Sequence, residues 1–328
     1  MPLQSTRGAS SATGFGFGTA SGPAFIEATG GTVLTCGDFK THIFTGNGCF
    51  VVSSAGKPSG SNTIEYLVVG GGGGGGARHG GGGGAGGYRQ NYPSPATGGL
   101  SISKTTIPIT VGGGGAGGFG PYNDPVVPRL SIPGTASSIG SLLISARGGA
   151  GSNYGSPTNN PEIGAGYYDG GSGGGSGLGS NAGAGNVPPT SPPQGNSGGP
   201  PLNTGGSGGG GASGVGNTPG NNSAGAPGGV GSPLATTFFG PTAPSYGTPG
   251  PAPGRYFAGG GGGGGYDNSG GSGGAGGGGD GVTGGSSTGG AGTTNTGGGA
   301  GGSGGNVPAC GTGGAGGSGF VAIRYKFQ

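Results

Sequence analysis

The sequence predicts an all-β fold plus polyglycine II, in which β-sandwich or jelly-roll-like strands clamp a bundle of left-handed polyglycine II helices. Three observations support this prediction. Long glycine tracts are bracketed by short apolar segments with strand character, such as residues 64–69 before the tract 70–76. Non-glycine residues recur at every third position in the later tracts. No stretch of useful length has the apolar period of an α-helix.

The composition requires a small core and extensive backbone pairing. Glycine supplies 106 of the 328 residues, while charged residues make up only 6% and hydrophobic residues 28%. A solvated disordered chain usually carries more charge, and a globular domain carries more aliphatic residues. Because glycine loses more backbone entropy on folding than any other residue, ordering these tracts requires nearly complete pairing of N–H and C=O groups. A disordered low-complexity linker is the alternative.

Charge, hydropathy and cysteine content exclude several classes of protein. The net charge of +3 is spread without basic runs or Arg-Gly-Gly repeats, so nucleic-acid binding is not expected. No apolar stretch approaches the length of a membrane span, and residues 1–7 lack the apolar core of a secretory signal. Cys36, Cys49 and Cys310 form no CxxC motif. We place Cys36 and Cys49 on neighbouring strands and interpret them as small apolar residues rather than a disulfide.

Changes in composition divide the chain into four regions. Residues 1–22 are rich in Ser, Gly and Ala and are interpreted as an N-terminal attachment arm. Residues 23–147 contain most of the strands and the first glycine tracts. Residues 148–257 mix Gly, Asn, Ser and Pro with scattered aromatic residues, which predicts loops where polyglycine helices turn back. Residues 258–328 hold the Gly-Gly-X polyglycine II region and a closing C-terminal strand.

The strands are predicted from β-branched and aromatic runs that are bounded by turn residues. Gly46-Asn47-Gly48 predicts a hairpin turn between two neighbouring strands. The turn-like Lys104-Thr105-Thr106 separates two further strands. The predicted strands are residues 32–35, 41–45, 49–52, 64–69, 100–103, 107–111, 141–146 and 320–327.

The later tracts have a period of three, which fits a helix with three residues per turn. A polyproline II-type helix makes no internal hydrogen bonds, so its backbone groups all point outward. Because only glycine lets such helices approach closely, a Gly-Gly-X repeat leaves two faces free for neighbours. Collagen is rejected, because the chain lacks a strict Gly-X-Y register with Pro at X and Y. The non-glycine residues in one register are Thr288, Ala291, Thr294, Ala300, Ser303 and Asn306.

Six segments together match a known type of domain, and they are residues 26–32, 37–45, 61–70, 82–89, 107–112 and 313–325. They resemble the glycine-rich domains of bacteriophage virion proteins, typical of phages of aquatic and marine bacteria. The resemblance covers residues 24–328 and implies a polyglycine II bundle beside β-structure. Related lattices occur in phage tail-tip adhesins and in the extracellular part of one class of receptor tyrosine kinase. The family implies no catalytic residues and no cofactor.

The resemblance implies a non-enzymatic virion protein on the tail or particle surface. We expect a tail fibre or receptor-binding adhesin that attaches the particle to a bacterial surface glycan or outer-membrane protein. The arm would bind other virion proteins, and a homo-oligomer is expected, with a trimer favoured by analogy. The alternative is a capsid-decorating or extracellular fibril-forming protein without a recognition role.

Candidate functional residues are those of a binding surface rather than of an enzyme or a metal site. The 8 acidic residues are far apart in sequence, and only His42 and His79 could serve as imidazole bases or metal ligands. His42 lies in a predicted strand and is interpreted as structural, whereas Arg78-His79 interrupts a tract and predicts a turn facing solvent. Tyr gives a large contact area at low entropic cost. The receptor-binding candidates are Arg89, Tyr92, Tyr122, Tyr154, Tyr167, Tyr168, Phe238, Phe239, Tyr246 and Tyr266. The alternative for each ring is packing over the glycine array.

Overall fold

The computed structural model describes residues 22–93, 99–119, 130–154, 166–202, 205–220, 223–241, 246–284, 287–306 and 309–328. The attachment arm, apart from Gly22, and the candidate Tyr122 lie outside these residues. The described part is all-β, with several antiparallel sheets and one short 3₁₀ helix at Thr236–Phe238, which confirms the predicted all-β class.

The strands are numbered here in chain order. They are β1 (Ile26–Thr29), β2 (Thr32–Cys36), β3 (Phe39–Phe44), β4 (Gly48–Ala55), β5 (Thr63–Val69), β6 (Tyr88–Gln90), β7 (Leu100–Ser101), β8 (Thr106–Thr110), β9 (Ser137–Ile139), β10 (Leu143–Ser145), β11 (Ser232–Leu234), β12 (Arg255–Phe257), β13 (Gly305–Asn306), β14 (Ala309–Cys310) and β15 (Phe320–Lys326).

Two large antiparallel sheets contain most of these strands. One sheet has the order β2-β3-β15-β5-β6, with β7 paired to β5, and the other has the order β1-β4-β8-β9-β10. The closing strand β15 is therefore central, since it pairs with β3 on one side and with β5 on the other. Strands β11 and β12 form a separate pair, as do β13 and β14.

The predicted hairpin at Gly46-Asn47-Gly48 is wrong, because β3 and β4 belong to different sheets. Strand β3 pairs with β2 and β15, whereas β4 pairs with β1 and β8, so neither strand has an edge left for the other. The turn carries the chain between sheets, and the Asn47 side-chain oxygen accepts a hydrogen bond from the N–H of Val111. Hairpin pairing occurs instead between β2 and β3, where Gly37 has a positive φ of 55°.

The separation of β3 and β4 also corrects the placement of the cysteines. Cys36 ends β2 and Cys49 lies in β4, so the two residues sit in different sheets and not on neighbouring strands. Both carry free thiols. The strands on either side of Lys104 are likewise separated, because β7 pairs with β5 while β8 pairs with β4 and β9.

Both large sheets contribute to one apolar cluster. Phe50 of β4, Ile64 of β5 and Ile323 of β15 are completely buried in it. Buried aliphatic and aromatic side chains of this size each stabilise the fold by about 1.5–3 kcal/mol. The cluster thus joins the N-terminal strands to the last strand of the chain.

A second apolar cluster covers the other face of the sheet that contains β15. Phe320 and Ala322 of β15 share this cluster with Phe238 of the 3₁₀ helix, Phe239 directly after it and Phe257 of β12. The ring centroids of Phe257 and Phe320 lie 5.4 Å apart, and those of Phe239 and Phe320 lie 6.0 Å apart. Strand β15 is therefore buried on both faces.

The glycine tract 70–76 makes backbone hydrogen bonds with a period of three residues. Every third N–H group donates to the same neighbouring segment, with donor–acceptor distances of 2.8–3.0 Å, and every third carbonyl accepts from another segment. The accepting segments run antiparallel to the tract, and the donating segments run parallel to it. The accepting segments are residues 81–87, 132–135 and 314–317, and the donating segments are residues 115–118, 148–151 and 300–303.

The same pattern extends to the tracts 80–87 and 258–265. Residues 80–87 donate to the segments 297–303, 146–152 and 207–210, at every third residue in each case. Part of the region 148–257, which the sequence suggests to be loops, thus belongs to the hydrogen-bonded array. The repeat residues are not all at the surface either, since Ala300 and Ser303 are completely buried while Thr288 is exposed.

Candidate functional site

The described candidate residues fall into three separate places. Four aromatic residues lie at the second apolar cluster, Arg89 and the pair Tyr167 and Tyr168 lie near the end of β10, and two tyrosines meet at the far end of the glycine tracts. Of the three, only the last group combines an exposed aromatic ring with a cation at a turn of the array.

The first group belongs mainly to the interior. Phe238 and Phe239 are 1% and 2% exposed, so their rings offer almost no surface to a partner, and we remove them from the candidate surface. Tyr246 packs 5.3 Å from Phe320, and Tyr92 packs edge-on against Phe238 at 5.3 Å. These four rings pack against the sheet that contains β15, and not over the glycine array, which is the packing role that the sequence suggests as the alternative.

The second group is only partly accessible. Tyr167 and Tyr168 are half-buried and form an edge-to-face pair with a centroid distance of 5.6 Å. The Tyr167 hydroxyl donates to the carbonyl oxygen of Ser131, and burial raises the pKa of Tyr167 above its ordinary value. Arg89 lies in β6 and donates from Nη1 to the carbonyl oxygen of Ile144.

The third group is the tip cluster, which comprises Arg78, His79, Tyr154 and Tyr266. The His79 ring stacks on Tyr266 with centroids 4.8 Å apart and an interplanar angle of 24°, and it lies 5.8 Å from Tyr154. The Arg78 guanidinium carbon lies 4.5 Å from the centroid of the Tyr154 ring. Tyr154 is 45% exposed, whereas His79 is only 6% exposed, so the expected solvent-facing position of His79 is corrected.

The backbone of the turn at the tip is held in an unusual conformation. Arg78 and His79 have positive φ values of 52° and 50°, which are costly for residues with side chains. The N–H of Ala77 donates to the Asn153 side-chain oxygen at 2.8 Å, and the N–H of Arg78 donates to Ser303 Oγ at 3.2 Å. The surrounding tracts therefore fix the turn that presents the Arg78 side chain.

The position of the tip cluster follows from the order of tracts and strands. Tract 70–76 leaves the end of β5, turns at residues 77–79 and returns as tract 80–87 to the start of β6. Tyr154 follows the tract that leaves β10, and Tyr266 follows the tract that leaves β12. The four side chains thus meet where three tracts end, away from the strand ends that begin them.

The tip cluster has the chemistry of a recognition surface. A guanidinium over an aromatic face is stabilised by the ring quadrupole, and an exposed tyrosine provides both an apolar face and a hydroxyl group. Rigid aromatic residues lose little entropy when they bind a partner. The sequence signal for this site is the Arg78-His79 interruption of an otherwise continuous glycine tract.

The tip cluster is distinct from a metal site or a membrane segment. Within the described ranges, no three His, Cys, Asp or Glu side chains lie close enough together to hold a metal ion. Among the residues that the structure describes, no helix combines the length and hydrophobicity of a membrane-spanning segment.

The family assignment agrees with the tracts and strands described above. A family model described as a glycine-rich domain matches residues 45–326, which is most of the chain. The protein therefore belongs to this family of glycine-rich domains. The comparison with curated proteins gives no match. The family description names the domain and no role for it.

Proposed function

We propose that the glycine tracts are polyglycine II helices packed side by side, and that the two large sheets form a sandwich-like base that clamps this bundle. The single observation that carries this proposal is the three-residue period of the backbone hydrogen bonds of tract 70–76, which has six neighbouring segments. Three residues per turn and outward-pointing backbone groups are the properties of this helix. The absence of positive φ values within residues 70–76 also supports it.

On this architecture, the protein is a non-enzymatic adhesin of the tail-fibre or receptor-binding type. A helix of this kind rises about 3.1 Å per residue, so a seven-residue tract holds the tip cluster roughly 20 Å from the strand ends. Loops carried on a rigid scaffold are common places for recognition. The tip cluster would contact a glycan or protein of a bacterial surface, and Tyr154 would supply the most accessible ring.

The virion assignment is supported by the resemblance to phage glycine-rich domains that residues 24–328 carry. In such a particle, the N-terminal arm would attach the protein to other virion proteins. Several copies would bind the host together, because linked weak contacts gain avidity from their high effective concentration. A trimer is the oligomer favoured by analogy with tail fibres.

The adhesion proposal is tested by measuring binding of the labelled protein to a panel of bacterial cells and to arrayed surface glycans. We expect saturable binding to a subset, and we expect Tyr154→Ala to weaken it at least tenfold. Val215→Ala is the control, because Val215 is 61% exposed and is not part of the tip cluster. Its binding should equal that of the unaltered protein.

The structural alternative makes a different prediction for the same variants. If the protein only decorates a capsid or builds a fibril, neither variant binds bacterial surfaces differently from the unaltered protein, and removal of the chain impairs particle assembly. Absence of surface binding, or equal binding by Tyr154→Ala and Val215→Ala, contradicts recognition through the tip cluster. The hydrogen-bonded array does not depend on that result.

A further inference from the structure

A groove beside β10 has features of a ligand site and does not involve the tip cluster. Its volume is about 700 Å³, which is within the range of small-molecule sites. We call it the edge groove, and its lining comprises Arg89 of β6 together with residues 136, 141–144, 146–147, 166, 169–170, 187–188, 190 and 194. It lies at the edge of the β1-β4-β8-β9-β10 sheet.

Three large aliphatic side chains line the edge groove and face solvent. Leu142, Ile144 and Val187 are 44%, 56% and 38% exposed. Leu143, which stands between Leu142 and Ile144 in the sequence, is by contrast buried in the first apolar cluster. Exposed apolar side chains gathered in a concave place are typical of ligand-binding surfaces rather than of ordinary protein exterior.

Two arginines give the edge groove a positive balance. Arg89 Nη1 donates to the carbonyl oxygen of Ile144 at 3.1 Å, and Arg147 Nη2 donates to that of Gly166 at 3.3 Å. Neither arginine forms an ion pair with any residue in the described ranges. A guanidinium has five N–H donors, so each retains donors for a ligand. Asp169 is the acidic residue on the wall, and its Oδ1 accepts from the N–H of Ala184.

The wall that contains Val187, Pro188 and Thr190 is organised before any ligand binds. Asn186 Oδ1 accepts hydrogen bonds from the N–H and Oγ1 of Thr190 and from the N–H of Gln194. Gln194 is 1% exposed, donates to the carbonyl oxygen of Pro188 and accepts from the N–H of Ala146. A wall that is already ordered lowers the entropy cost of binding.

We propose that the edge groove binds a small aliphatic monocarboxylate, with its carboxylate near Arg89 and Arg147 and its chain along Leu142, Ile144 and Val187. The two arginines and Asp169 leave one positive charge, which one carboxylate neutralises. Guanidinium and carboxylate geometries match for paired hydrogen bonds. This inference is independent of adhesion at the tip cluster.

Other occupants fit the edge groove less well. The described lining residues include no aromatic ring on which a sugar could stack. An extended peptide would have to pair with the free edge of β10. The carbonyl oxygen of Ile144 already accepts a hydrogen bond from Arg89 there. A phosphate or sulfate group would match the arginines but would leave the aliphatic wall unused.

Titration of the full chain with octanoate by calorimetry or by amide chemical shifts tests the proposal, with 1-octanol as the uncharged counterpart. We expect saturable octanoate binding, at least tenfold weaker binding of 1-octanol, and at least tenfold weaker octanoate binding by Arg147→Gln. Arg147 is exposed, so this variant should fold. Lys104→Gln removes an exposed cation elsewhere and should bind octanoate as the unaltered protein does.

A second variant tests the aliphatic wall. Ile144→Thr keeps a β-branched strand residue at an exposed position and should weaken octanoate binding severalfold while sparing the fold. The proposal is overturned if octanoate shows no saturable binding at millimolar concentration, if 1-octanol binds equally, or if Arg147→Gln and Lys104→Gln have the same affinity. Equal binding of inorganic phosphate would also overturn it, because that ligand ignores the apolar wall.

Discussion

The Nε2 atom of His42 lies 3.0 Å from the hydroxyl oxygen of Tyr325, which joins β3 to the last strand across almost the whole sequence. Nδ1 donates to the carbonyl oxygen of Gly30 at 2.6 Å, so Nε2 is the acceptor in the neutral ring. Burial raises the pKa of Tyr325 to about 12, and its hydroxyl therefore stays protonated and can donate to Nε2. His42 is completely buried, as its interpretation as a structural residue requires.

This relationship predicts that the protein loses stability in mild acid. Burial lowers the pKa of His42 from the ordinary value of 6.5, so the unfolded chain binds a proton more readily than the folded chain does. The stabilising contribution is therefore complete above pH 6.5 and is lost as the pH falls below it. Urea midpoints at pH 7.5, 6.5 and 5.5 should decrease in that order.

A matched pair of variants assigns this pH dependence to one residue. His42→Gln should reduce the decrease in urea midpoint between pH 7.5 and 5.5, although it also lowers stability at every pH. His79→Gln should leave the pH dependence of the urea midpoint unchanged, because His79 lies in the tip cluster and not in the core between the strands. If the urea midpoint of His42→Gln depends on pH as strongly as that of the unaltered protein, another group causes the loss of stability in acid.

Close packing of the tracts predicts that a single methyl group is destabilising at an inner glycine. A Cβ at Gly74 would overlap the carbonyl oxygen of Ala116, which is backbone and cannot move aside. A Cβ at Gly113 would meet nothing closer than Thr135 Oγ1 at 3.9 Å. Gly74→Ala should cost about 3 kcal/mol of unfolding free energy, while Gly113→Ala should stay within about 0.5 kcal/mol. Equal urea midpoints would contradict close packing around Gly74.

The two ion pairs of β15 should differ strongly in importance. Arg324 pairs with Glu65, and the two side chains are only 11% and 10% exposed. The Arg324 guanidinium also lies 3.6 Å from the centroid of the Phe39 ring. Glu65→Ala leaves a buried charge without its carboxylate and should cost about 3–5 kcal/mol. Chemical denaturation measures this loss.

Asp38→Ala is the control for that prediction. Asp38 pairs with Lys326 of β15, and their side chains are 55% and 43% exposed. An exposed pair of this kind contributes about 1 kcal/mol or less. If the two variants lose similar amounts of stability, burial does not determine the strength of these pairs.

Local patterns in the sequence predict the elements well and their partners poorly. The strand at residues 64–69 and the closing strand are predictable because each β-branched and aromatic run borders a glycine tract, which follows the first run and precedes the second. The partners of β3 were not, because its free edge is taken by β15, which lies near the other end of the chain. A turn sequence such as Gly46-Asn47-Gly48 carries no information about that distant competitor.

The candidate sites show the same limit. The sequence offers Tyr154 and Tyr266 as binding candidates, but it does not show that the tracts bring them to Arg78 and His79. Phe238 and Phe239 have a similar local context, yet they cover the β15 sheet. Of the residues that line the edge groove, the sequence offers only Arg89 as a candidate. Ile144 and Arg147 form no recognisable motif, and they become part of one site only when β10 and the segment after it are folded.

Amide hydrogen exchange across tract 70–76 tests the central claim most directly, with Gly114 as an internal reference. Every N–H of the tract donates to a backbone carbonyl, so protection should be strong at all seven residues. Gly114 is exposed and donates no backbone hydrogen bond to a described residue, so it should exchange quickly. Fast exchange throughout residues 70–76 would contradict the account, because the glycines would then be unpaired and the bundle could not exist.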